Sequence, residues 1–222
     1  IKVIKAIVKT ELAIYFRNLN SIFLPLIFFF LILSVFPLIL GTDKILLGKV
    51  IPGMIWITVI LTTLLSSNNF FRDDYKNGVI ETYLTSDTSI ELVLFFRIIA
   101  CWIFTCLPVI VFIPVVSLLF EISFQNSVII LLTLVLGTPI LISIGILGSA
   151  LTLGLAKNNI LTPVIIIPFY IPVLIFSASA IEAVSIGLPY TSQICILLAL
   201  LLLVLPIMPY LLKYTLELSI NN

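Results

Sequence analysis

Residues 50–91, VIPGMIWITVILTTLLSSNNFFRDDYKNGVIETYLTSDTSIE, decide the fold because an apolar stretch and a polar stretch meet within them. The first 22 of these residues, Val50–Phe71, carry no charged side chain, whereas the next 20 carry seven. A helix that crosses a membrane needs about 20 apolar residues, and an ionised side chain is costly at the bilayer centre. The stretch therefore predicts a membrane-spanning helix followed by a polar segment outside the bilayer.

Charge-free intervals of similar length recur along the whole chain of 222 residues. The other five are Asn18–Thr42, Ile98–Phe120, Ile122–Ala156, Asn158–Ile181 and Ala183–Leu212. In lipid the backbone must satisfy its own hydrogen bonds, so helices are expected there. We predict an all-α polytopic membrane protein, a single transmembrane domain over 1–222, with six spans at about 21–40, 50–68, 92–120, 128–155, 160–180 and 191–212.

The composition excludes several classes of protein. Hydrophobic residues make up 62% of the chain and charged residues 9%, against about 25% charged residues in a soluble domain, so a soluble enzyme is excluded. The sequence has no His, the commonest metal ligand and general base. A formal net charge of +1 offers no basic field for nucleic acid. We expect no catalytic residue, no metal site and no cofactor bound by this chain.

The positions of Lys and Arg predict the orientation. With the amino terminus inside, nine of the 11 basic residues face the inner side, and only Lys44 and Lys49, in an expected outer loop at 41–49, face the outer side. The positive-inside rule then places both termini in the cytoplasm of a bacterium with the protein in the inner membrane, or in the matrix of a mitochondrion. We expect no cleavable signal peptide, because the first apolar run is longer than a signal peptide requires.

Residues 1–17 predict an amphipathic helix at the membrane interface. Lys2, Lys5, Lys9 and Arg17 fall on one side of a helical wheel, and Ile4, Ile7, Val8 and Tyr15 fall outside it. A basic anchor helix on the inner surface is one interpretation. Packing against a cytosolic partner is the other.

Prolines within the spans predict bends. The fifth span carries Pro163, Pro168 and Pro172, and the fourth carries Gly137 and Pro139. Proline inside a membrane helix frees a backbone carbonyl and kinks the rod. These residues are candidates for hinges, and a kinked helix that only packs is the equal alternative.

The polar segment at 69–91 contains the candidate functional residues. Gly78 interrupts it, and Val79, Ile80, Tyr83 and Leu84 give the second part an apolar face. A helix this short is unstable alone and needs a surface to dock against. The alternative is a solvated loop whose charges only keep it out of the bilayer.

A resemblance to known families bears on this choice. The run from Phe71 to Glu81, directly after the second span, resembles the coupling helix of ABC-2 (type V) exporter membrane subunits. Four fragments together resemble the cytochrome c maturation protein B (CcmB) family, a haem exporter membrane subunit: residues 51–56 (IPGMIW), 71–74 (FRDD), 136–139 (LGTP) and 151–155 (LTLGL). Residues 176–189, with Glu182 where that family tends to carry an acid, are also similar.

The resemblance implies that ATP is hydrolysed by a separate subunit, the cytochrome c maturation ATPase A. Around Gly48 and Lys49 the chain has only a poor imitation of a P-loop, with the wrong spacing. The implied partners are a second copy of the chain, membrane subunits C and D, and the periplasmic haem chaperone E. Haem is implied as cargo, or ATP is used to release the haem-loaded chaperone. Glu182 is the implied outer-side candidate.

In this interpretation Asp73, Asp74 and Glu81 would pair with basic groups of the ATPase and Arg72 with an acidic group, while Gly78 lets the backbone turn. Three alternatives remain open. Another ABC-2 exporter of lipid, polysaccharide or drug would share only the coupling segment. A channel or carrier would need ionisable groups in mid-span, which the six charge-free intervals lack. A passive scaffold would need no ATPase.

Overall fold

The computed structural model describes residues 13, 20–40, 44–68, 70–85, 89–153 and 161–221. The regular structure of this described part is helical throughout, and we number its helices in chain order. They are α1 (Asn20–Leu40), α2 (Lys44–Ser67), α3 (Arg72–Lys76), α4 (Val79–Thr85), α5 (Ile90–Leu119), α6 (Phe124–Leu151), α7 (Leu161–Ser185) and α8 (Thr191–Asn221). Apart from Ala13, the predicted interfacial helix at 1–17 lies outside the described residues.

Five of the described helices, α2 and α5 to α8, are long and apolar enough to cross a membrane. Their outward faces remain apolar, as at Leu118 and Leu202, which are 81% and 66% exposed. A helix that is hydrophobic all round suits a lipid environment, so a polytopic membrane protein is confirmed. The first predicted span coincides with α1, which is 21 residues long and apolar over Phe23–Phe36. The count of six spans stays a prediction.

The helix ends differ from the predicted boundaries of the spans. Helix α2 begins at Lys44, so most of the outer loop expected at 41–49 is helical. Helix α6 begins at Phe124 rather than 128, where the Ser123 hydroxyl caps it by accepting a hydrogen bond from Asn126 N at 3.3 Å. Helix α8 continues to Asn221, well past residue 212. A charge marks where the apolar stretch ends, but backbone hydrogen bonding continues beyond it.

Helix α6 is the centre of the bundle. It packs against α2, α5, α7 and α8, whereas α1 packs against α2 and α5. In its apolar window 72% of α6 is buried, against 17% for α8. Small residues allow this close packing: a side chain at Gly145 would collide with Ser67 of α2 and Tyr170 of α7. The exposed face of α8 is therefore left for lipid or another subunit.

A separate apolar cluster lies at the end of the bundle where α2 ends and α5 begins. We call it the polar-end core, because the charged segment 70–85 packs on it. Its buried members on α5 and α8 include Ile90, Leu94, Ile98, Met208, Leu212 and Leu216. This core is the surface on which the candidate site is built.

Candidate functional site

The predicted coupling segment forms two short helices, where the sequence indicated one. Helix α3 ends when Asn77 N donates to Asp73 O at 3.0 Å and Gly78 N donates to Tyr75 O at 3.3 Å. Gly78 has a φ of +67°, a left-handed conformation that side chains disfavour. Helix α4 then starts with Thr82 N donating to Gly78 O at 3.4 Å. The glycine therefore allows the chain to reverse between two helices that share one docking surface.

The segment is held to the bundle by apolar contacts. Phe71, just before α3, is 1% exposed and Ile80 of α4 is 2% exposed. Both belong to the polar-end core, with Tyr83 packed against it. Helices this short depend on such tertiary packing for their stability. The segment is thus a docked structure rather than a loop surrounded by water.

An ion pair joins the same segment to the start of α5. Arg97 Nη2 lies 2.6 Å from Asp74 Oδ2, and their side chains are 7% and 25% exposed. The guanidinium carbon of Arg97 also lies 5.0 Å from the ring centre of Phe70 and 5.4 Å from that of Phe71. Within about 6 Å such contacts are attractive cation–π interactions.

A second ion pair joins α5 to α8 at this end. Lys213 Nζ donates to Glu91 Oε1 at 2.7 Å, with side chains 38% and 24% exposed. This pair is closer to water than the first, so its contribution to stability is smaller. Together the two pairs place the coupling segment, the start of α5 and the end of α8 at one end of the molecule.

Asp73 and Asp74, which the sequence predicted to have the same role, differ in their exposure. Asp73 is exposed and Asp74 is half-buried against Arg97, although both were predicted to contact an ATPase. Glu81 is exposed and Arg72 half-buried. Asp73 and Glu81 thus remain exposed and accessible to a partner, whereas the Asp74 carboxylate faces the bundle.

The predicted hinge residues do not form one group. Gly137 and Pro139 lie buried in α6, where a side chain on Gly137 would collide with the ring of Trp56. Pro168 and Pro172 lie inside α7 on its exposed side.

Pro163 stands in the first turn of the described part of α7. The hinge role predicted for the three prolines of this span stays a prediction.

Glu182 lies at the opposite end of the bundle, exposed near the end of α7. An apolar groove of about 370 Å³ lies close to it in the chain, where α6 begins and α7 ends. The groove is lined by residues of both helices and of the following turn, among them Phe124, Val128, Val184, Gly187, Leu188 and Tyr190. Glu182 itself does not line it, and its proposed role stays a prediction.

Arg97 is the residue that the sequence reasoning missed. In the sequence it preceded the charge-free interval Ile98–Phe120 and counted among the nine basic residues of the inner side. The available signal was its place in a helical pattern with Ile90, Leu94 and Ile98, which puts a cation next to an apolar face. Its partner could not be known, because the pairing depends on how the segment folds back onto α5.

Comparisons with known proteins agree with the resemblance of the sequence. The family described as CcmB protein matches residues 2–219. Heme exporter protein B of Haemophilus influenzae is 37% identical over 216 residues, covering 97% of this chain and 98% of that protein. Heme exporter protein B of Escherichia coli K12 is 35% identical over 215 residues, with 97% and 98% covered. The protein of that name in Pseudomonas aeruginosa is 32% identical over 212 residues, with 96% and 95% covered.

Proposed function

Since the chain belongs to the CcmB protein family, we propose that it is the membrane subunit of an ATP-driven haem exporter complex for cytochrome c maturation. The observation that carries this proposal is the likeness, over nearly the full length of each chain, to three proteins named heme exporter protein B. ATP is hydrolysed by a separate ATPase subunit. The chain works in the bacterial inner membrane with both termini in the cytoplasm, beside a second copy of itself, subunits C and D, and chaperone E.

The coupling segment 70–85 is the surface that meets the ATPase. It is docked on α5 and α8 through the polar-end core, so a push on it is passed to two long helices rather than absorbed by a loose loop. Asp73 and Glu81 are the exposed acids of this surface. Coupling of this kind is a rigid-body change between packed elements.

Of the two activities that the resemblance implies, we favour the mechanical one. The sequence contains no His, so the axial ligand that most often holds haem iron is missing from this chain. ATP hydrolysis then releases the haem-loaded chaperone on the outer side, where Glu182 is the candidate contact. Haem is cargo of the complex and not a cofactor of this chain.

Charge reversal at the exposed acids tests the ATPase contact. We expect the double variant Asp73→Lys/Glu81→Lys to lose most of the ATPase that co-purifies with the complex in mild detergent, and to lower ATP turnover with it. The two new lysines repel the basic groups of the ATPase that the acids attract, which explains the loss. The matched control is Glu182→Lys, an exposed acid at the other end of the bundle, which should retain the ATPase.

The same two variants distinguish a defect in ATPase binding from a defect in chaperone release. Glu182→Lys should lower the amount of haem-loaded chaperone released for each ATP hydrolysed, because its effect lies after the ATPase step. Unchanged ATPase binding in the Asp73/Glu81 double variant would refute the docking surface. An exporter of another substrate would be favoured by a different pair of results. The wild-type complex would purify with an ATPase, but deletion of this complex would leave the yield of cytochrome c unchanged.

A further inference from the structure

Arg97 is the buried cation of the described part of α5. It stands two turns from the start of the helix at Ile90, and only 6% of it is exposed. Arginine is almost never buried so deeply unless it is paired. Its environment therefore has to be explained by what the guanidinium contacts.

The contacts of Arg97 come from both sides of the turn at Gly78. Asp74 of α3 supplies the carboxylate, and Phe70 and Phe71 supply two rings before that turn. Tyr83 of α4, after the turn, supplies a third ring with its centre 5.8 Å from the guanidinium carbon. A single side chain thus contacts α3, α4 and the residues that lead into them.

We propose that Arg97 is a positioning residue that locks the coupling segment onto α5, with Asp74 as its internal counter-charge rather than a contact of the ATPase. This inference rests on the proposed function, because it says how movement of the segment reaches a long helix. Asp73 and Asp74 then have different roles although they are neighbours of the same type. The first faces the partner and the second holds the segment in place.

The chemistry of the guanidinium explains why arginine suits this position. Its planar, delocalised group pairs with a carboxylate while its face lies against aromatic rings. A lysine ammonium keeps the charge but is a compact point that cannot contact the carboxylate and three rings together. Removing either charge of a buried pair leaves the other desolvated without that partner, which is strongly unfavourable.

Amide hydrogen exchange of the purified chain, without any ATPase, tests the lock directly. We expect Asp74→Asn and Arg97→Gln to raise the exchange rates of amides in 72–85 by about tenfold or more, because the docked segment opens more often. Asp73→Asn is the matched control and should leave those rates unchanged. Arg97→Lys should give intermediate rates, and Asp74→Glu should restore much of the protection.

The result that overturns the proposal is equal exchange in the Asp73→Asn and Asp74→Asn variants. Asp74→Asn, at a half-buried position, keeps the comparison decisive if Arg97→Gln fails to fold. Failure of the proposed function gives a different result: the wild-type chain binds no ATPase, whatever its exchange rates. With the ATPase present, Asp74→Asn should lower chaperone release per ATP hydrolysed, and Asp73→Asn should lower ATPase binding without changing exchange.

Discussion

The close approach of three helices at Gly145 leads to a prediction about stability. In Gly145→Ala the new Cβ would lie 2.7 Å from Ser67 Cβ of α2 and 2.8 Å from the Tyr170 hydroxyl oxygen of α7. Ser67 Cβ is attached directly to the backbone, so the contact is relieved only when helices α2 and α6 move apart. The substitution therefore disturbs the centre of the bundle without adding a polar group.

The expected cost follows from these contacts. Overpacking of a well-packed core costs about 1–3 kcal/mol. The Tyr170 hydroxyl also donates to Leu141 O at 2.8 Å, and losing a hydrogen bond of this kind costs about 0.5–1.5 kcal/mol. Alanine recovers about 1 kcal/mol through its better helix propensity. The net destabilisation is therefore about 2 kcal/mol, which lowers the melting temperature by about 4–8 °C.

The assay is the apparent melting temperature of the purified chain in one detergent. Two other glycines serve as controls, because they differ in what an added Cβ meets. At Gly53 nothing lies within 4 Å, so Gly53→Ala should melt at or above the wild-type temperature. At Gly148 the colliding atoms are Cδ1 and Cγ1 of the Ile166 side chain, which a change of rotamer can move without separating the helices, so Gly148→Ala should fall between the two. A Gly145→Ala protein as stable as Gly53→Ala would refute the reasoning.

Two more predictions concern the polar end. Gly78→Ala forces a side chain into φ +67° at a cost of about 1–2 kcal/mol and places its Cβ 2.9 Å from Glu81 Oε2, so it should reduce ATPase co-purification. Gly187→Ala has a similar backbone strain at φ +74° at the other end, but its Cβ meets nothing within 4 Å, and it should retain the ATPase. Lys213→Gln removes the more exposed ion pair and should leave the free energy of unfolding nearly unchanged, because water screens an exposed pair; a clear loss of stability in a denaturant titration would contradict this.

The sequence predicted the class of the protein and the position of the candidate site. Charge-free intervals predicted helices of membrane-spanning length, and five are confirmed among the described residues. The resemblance to the CcmB family is confirmed by the match over residues 2–219. Gly78 was named as a turning point, and its positive φ is the backbone conformation that such a role requires.

The sequence could not distinguish among residues of the same type. Asp73 and Asp74 were predicted to make the same contact, although Asp73 is exposed and Asp74 is half-buried against Arg97. Which of two neighbouring carboxylates faces the bundle depends on how the segment folds back onto α5, and residue type does not define that arrangement.

Membrane insertion depends on the transfer free energies of side chains summed along a segment, and this sum requires only the amino-acid sequence. The class of the protein, the approximate spans and the location of the polar segment accordingly followed from composition and order alone. The different exposure of Asp73 and Asp74, the burial of Arg97 among three rings, and the closeness of Gly145 to Ser67 required the tertiary structure. These features depend on distances between residues far apart in the chain, and packing of the helices alone determines those distances.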